Sequence, residues 1–95
     1  MKDQNSNKSI VVLSVEVVLM RKGGPQYHQV LSRLERDYGC KVFDCFEHPE
    51  YLKTVLHDVY GPDYDSIIDN LEVELSEIAS EKDVADFLAI LRQNN

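Results

Sequence analysis

Ile10-Val11-Val12-Leu13-Ser14-Val15-Glu16-Val17-Val18-Leu19-Met20 is the stretch on which the fold class turns. Its β-branched residues suit a strand, and in isolation it passes for one. A strand needs a ladder partner, however, and nothing else in the chain alternates with the period of two that a strand requires. Helix is the reading that leaves no backbone group unpaired. Ser14 and Glu16 are the only polar residues in the stretch, so such a helix is apolar nearly all round. A helix of that kind lies in the centre of a core or is shared with a second subunit. Val11, Val15, Val18 and Leu19 are accordingly the expected interaction residues, with self-association or a protein partner as the expected use.

The same stretch follows Lys2 and Lys8 and loosely resembles the apolar part of a signal peptide. Glu16 interrupts it, Arg21-Lys22 closes it, and no small-x-small cleavage site follows. It is also shorter than the roughly 20 residues that span a bilayer. A cytoplasmic protein with no membrane contact is expected.

Working outward, every glycine and proline falls at a seam: Gly23-Gly24-Pro25, Gly39, Pro49 and Gly61-Pro62. Glycine tolerates the left-handed conformation past a helix end and proline suits a first turn. Between the seams run helical stripes. Tyr27, Val30, Leu31, Leu34 and Tyr38 form the first. Leu52, Val55, Leu56, Val59 and Tyr60 form the second. Tyr64, Ile67, Ile68, Leu71, Leu75 and Ile78 form the third. Val84, Phe87, Leu88 and Leu91 form the last, with Ser80 placed to cap it and Glu81 and Asp83 suited to the positive end of its dipole. The expected fold is all-α, a compact bundle of about five short helices. It forms one domain over residues 9–93, preceded by a tail, 1–8, that lacks apolar residues after Met1 and is expected to be disordered.

The net charge of -7 is lopsided. Residues 1–50 carry seven basic and seven acidic side chains, whereas residues 51–95 carry three against ten. Such an acidic half repels phosphate backbones and suits a basic protein surface or simple solvation. A basic face built from Arg21, Lys22, Arg33, Arg36, Lys41 and Lys53 would be needed for DNA binding. Interleaved Glu35 and Asp37 argue against one, and no paired-helix recognition pattern stands out. Nucleic acid is therefore an unlikely partner.

A resemblance runs along most of the chain. After the apolar helix come Gly23-Gly24-Pro25-x-Tyr27 and Leu34-x-x-Asp37-Tyr38-x-Cys40. Next are Asp44-Cys45-Phe46-x-His48-Pro49-Glu50-Tyr51-Leu52, Tyr60-Gly61-x-x-Tyr64 and Ala85-x-Phe87-Leu88. Over residues 10–92 this order resembles a family of small archaeal domains described as Nitrosopumilus-type output domains. The resemblance implies an output or effector module of archaeal signalling, found alone or fused to receiver-type domains. With no room for a receiver in 95 residues, a stand-alone version is expected. The family brings no catalytic mechanism.

Reactive side chains concentrate in the segment Gly39–His48, which carries Cys40, Asp44, Cys45 and His48. Two thiols without a secretory signal point to free cysteines rather than a structural disulfide. Three readings of this loop stand side by side. Cys40, Cys45 and His48 could converge on a zinc ion with a fourth ligand from elsewhere, making a metal- or thiol-based sensor. The two thiols could form a redox pair. Or the cysteines fill the loop's own core, and His48 caps a helix ahead of Pro49. His28 and His57 flank apolar positions, where a histidine satisfied by a neighbour is the ordinary outcome. No phosphate loop, calcium loop or nucleophile with a recognisable oxyanion device is present, so an enzyme and a bound cofactor are not expected. Tyr27, Tyr38, Tyr51, Tyr60 and Tyr64 sit at stripe positions near helix ends, with rings expected at the core edge. A small apolar pocket bounded by Phe43, Phe46 and Tyr51 is the alternative use of the aromatic residues.

Overall fold

The computed structural model describes residues 4–93, which form helices joined by short turns, with no strand among them. Five α-helices follow in order: α1 (Gln4–Lys22), α2 (Gln26–Tyr38), α3 (Pro49–Tyr60), α4 (Tyr64–Glu74) and α5 (Lys82–Arg92). A 3-10 turn, Val42–Phe46, links α2 to α3, and a second, Gly61–Asp63, links α3 to α4. The β-branched stretch lies within α1, so the demand for paired backbone groups overrides its local strand preference.

The punctuation acts where expected. Gly39 adopts φ 63°, and this left-handed turn sends its amide back to the Glu35 carbonyl and the Cys40 amide back to that of Leu34. Gly23 and Gly24, at φ 73° and 74°, reverse the chain between α1 and α2. His48 stands at the N-cap position of α3 with Pro49 in its first turn. Two boundaries differ from the periodicity. The third stripe runs on to Ile78, yet α4 ends at Glu74, and Leu75 and Ile78 pack from the turns that follow. Ser80 does not cap α5. Glu81 takes the N-cap position, and the Asp83 carboxylate accepts the Val84 amide at 2.9 Å.

The core gathers residues from every helix around α1, α3 and α4. α2 packs mainly on α3, α3 on α5, and α1 on α4 and the Val42–Phe46 turn. Val11, Val15, Val18 and Leu19 lie inside it, none more than 3% exposed. The face they form is covered by helices and turns of the same chain. α1 also begins at Gln4, inside the stretch 1–8 expected to be disordered, while residues 1–3 lie outside the described residues. The Asn7 side-chain amide donates to Glu81 and Asp83, each at 3.1 Å, and the Lys8 ammonium meets Glu47 at 2.8 Å. Those contacts secure the first turns of a helix that the composition alone would leave fraying.

At the opposite end of the core the Tyr64 hydroxyl, buried, donates to the Leu91 carbonyl at 2.6 Å and ties α4 to the last turn of α5. The buried Tyr60 hydroxyl has no hydrogen-bond partner among the described residues. No helix is long and apolar enough to cross a membrane.

Candidate functional site

α1 presents two apolar faces. Successive residues turn by about 100°, so Val11, Val15, Val18 and Leu19 share one side while Ile10, Leu13, Val17 and Met20 share the other. The second face is uncovered: Ile10 is 44% exposed, Leu13 60% and Met20 56%, with Val17 half-buried. Beside it runs a groove of about 510 Å³ between α1, α2 and the Val42–Phe46 turn. Val12, Leu31, Val42 and Phe43 supply its apolar walls, and Glu16, Glu35 and Lys41 line it as well. Phe43, half exposed, carries the Lys8 ammonium 3.9 Å above its ring centroid. The groove flanks the uncovered stripe, with Glu16 at the border between them, and together they make an apolar surface edged by charge. A surface of that kind is a candidate interaction site.

The cysteine loop is built differently. Cys40 and Cys45 are both buried and free. The Cys45 thiol lies 3.6 Å from the Lys41 carbonyl oxygen. Burial pushes both thiols up from the ordinary range, Cys45 far more than Cys40. His48 does not join them. Its ring is exposed and stacks on Tyr51 at 4.8 Å, with Nδ1 3.5 Å from Glu50, and Tyr51 stacks in turn on Tyr38 at 4.3 Å. No cluster of three or more His, Cys, Asp or Glu side chains suited to a metal ion occurs among the described residues. The geometry therefore places Cys40 and Cys45 as packing residues and His48 in a surface stack.

The remaining candidates separate as well. Phe43, Phe46 and Tyr51 meet different neighbours among the described residues: Phe46 packs on Phe87 at 5.8 Å, Tyr51 lies between Tyr38 and His48, and Phe43 lines the α1 groove. His57 stacks on Tyr64 at 3.6 Å, and His28 meets Tyr27 edge-on at 5.4 Å. The basic side chains considered for a nucleic-acid face are mostly neutralised. Arg21 contacts Glu74, Lys22 Asp63, Arg33 both Asp37 and Asp58, and Arg36 Asp37. Lys53 is buried.

An all-apolar α1 leaves two uses open from sequence, the centre of a core or a shared surface, and Val11, Val15, Val18 and Leu19 take the core while the outer face stays open. The signal for the outer face is the spacing 10, 13, 17, 20, masked because the residues between are equally apolar. No protein-family model, curated protein or solved structure matches this chain.

Proposed function

We propose that this chain is a non-enzymatic interaction or output domain that works through protein–protein contacts at the uncovered face of α1. The observation that carries the reading is the exposure of Leu13, Met20 and Ile10 on a helix whose other face is already in the core. Three large apolar side chains on nearly three helical turns, next to an apolar groove, make a surface that a partner can dry out at little ordering cost. The resemblance to archaeal output domains supports a setting in signal transduction, and the two free thiols suit a cytoplasmic location. The thiol- or metal-sensor and DNA-binding alternatives have less support, because both thiols are buried, the His48 ring stacks on Tyr51 and the basic side chains face carboxylates.

Site-specific photo-crosslinking tests the reading. A photoreactive residue at position 13 is expected to trap a protein in cells, while one at exposed Ser66 on α4 traps none above background. Equal, weak labelling from both positions would remove the interaction reading.

A further inference from the structure

Resting on that reading of the α1 face, we infer that its partner is a second copy of this chain, paired through a short parallel α1–α1 seam. Ile10, Leu13, Val17 and Met20 follow the 3-4-3 spacing of heptad positions a, d, a and d. The residue types are ordered as well as spaced. β-branched Ile10 and Val17 take the a positions, and unbranched-at-Cβ Leu13 and Met20 take the d positions, the arrangement that favours two parallel strands. In that pairing each residue meets its own copy across the seam.

The charges beside the seam agree. Glu16 falls at g and Arg21 at the following e, the two positions that form ion pairs between parallel helices. Glu16 makes no ion pair within the described residues. The Arg21 side chain is 65% exposed and uses Nη1 for Glu74, while Nη2 has no partner among the described residues and can meet a carboxylate of the second copy. A two-fold axis along the seam then makes two Glu16–Arg21 pairs. Antiparallel pairing about the same seam would oppose a-type to d-type residues and bring the two Glu16 carboxylates together, where like charges repel.

Four seam layers are too few to fold a free coiled coil, which needs three or four heptads to be recognisable and stable. Here the helix is already ordered by its inner face, so pairing bears no nucleation cost. The contact is small and belongs to the weak, transient class of interfaces, so the dimer depends on concentration.

Charge reversal read by native mass spectrometry and sedimentation tests the inference. The wild type is expected to shift from monomer to dimer with rising concentration. Glu16→Arg alone and Arg21→Glu alone each weaken the dimer by about tenfold, since each variant faces like charges twice across the seam. Mixing the two variants restores opposite charges at both places and yields a heterodimer of mixed mass. Leu13→Glu, on a face the monomer leaves open, abolishes dimer with an unchanged circular dichroism spectrum and provides a variant independent of Arg21 and Glu74. A monomeric wild type at every concentration overturns the inference, as does a mixture that forms no heterodimer. If that monomer still crosslinks to another protein from position 13, the interaction reading survives without self-pairing. If it crosslinks to nothing, both fall.

Discussion

Val11, Val15, Val18 and Leu19 on one side of α1, and Ile10, Leu13, Val17 and Met20 on the other, are chemically interchangeable sets. The first is at most 3% exposed, whereas Leu13 is 60% exposed and Met20 56%. The difference arises from the other helices, not from α1. α4 and the Val42–Phe46 turn cover one side, and the remaining apolar stripes are used up against one another: α2 on α3 and α3 on α5. A chain of 95 residues has limited apolar surface with which to wrap a helix on all sides. Equal hydrophobicity on two faces thus signals one face for folding and one left over.

The largest expected effect tests the folding face. Leu19 is fully buried, and Leu19→Ala removes its side chain from a close-packed site, so unfolding free energy should fall by about 3 kcal/mol. Urea denaturation measures it. A loss below about 1 kcal/mol would mean that the inner face is loosely packed and that the two faces differ less than their exposures indicate.

Next in size is the hydroxyl that closes the core at its far end. Tyr64→Phe leaves the Leu91 carbonyl without the donor that now sits 2.6 Å away, at a cost of about 1–2 kcal/mol. Tyr60→Phe deletes a buried hydroxyl that has no partner among the described residues, and is expected to be neutral or stabilising. The same contrast extends to pH. Burial raises the Tyr64 hydroxyl to about 12 from its ordinary 10.0, against the opposing pull of Arg92. A raised folded value means that the neutral phenol is the form the fold prefers. Its contribution is complete below pH 10 and is lost as the pH climbs from about 10 towards 12. The melting temperature of the wild type should fall across that window, and that of Tyr64→Phe should fall less steeply.

Much of this architecture was legible because local chemistry and tertiary packing agree. Gly39, Pro49 and Gly61 mark ends that the backbone respects, and the stripes after Pro25, Pro49 and Pro62 lie in the core as their spacing requires. Legibility failed where long-range contacts decide. Nothing near Asn7 in sequence foretells Glu81 and Asp83, 74 and 76 residues away, so the start of α1 was unreadable. Ser80 has the right chemistry for a cap, but the turns after α4 set the entry to α5 one residue later, at Glu81. Cys40, Cys45 and His48 suggested a ligand set from spacing alone, yet the 3-10 turn buries the thiols and leaves the imidazole on the Tyr51 stack. For the two faces of α1, hydropathy had no contrast to read. Only the positions of the other helices separate them.

Asn7 gives a smaller effect on the boundary between the faces. Asn7→Ala removes the amide that bridges Glu81 and Asp83 and leaves two carboxylates facing a methyl group. About 1 kcal/mol should be lost, accompanied by faster amide hydrogen exchange confined to the first turns of α1. If exchange accelerates along the whole helix instead, α1 is held as one unit and its N-terminal anchor supports both faces.

The smallest expected effect is the most discriminating. Leu13→Ala removes as many atoms as Leu19→Ala from the same helix, but from a side chain that the chain itself leaves 60% exposed. At concentrations low enough to keep the protein monomeric, its unfolding free energy should match that of the wild type within about 0.5 kcal/mol. At high concentration the wild type alone should gain stability, because any partner that binds only the folded chain adds to it by mass action. A concentration-independent loss of several kcal/mol from Leu13→Ala would place Leu13 in the folding core. The outer stripe would then be a second folding face, and neither a partner nor a second copy would be needed to account for it.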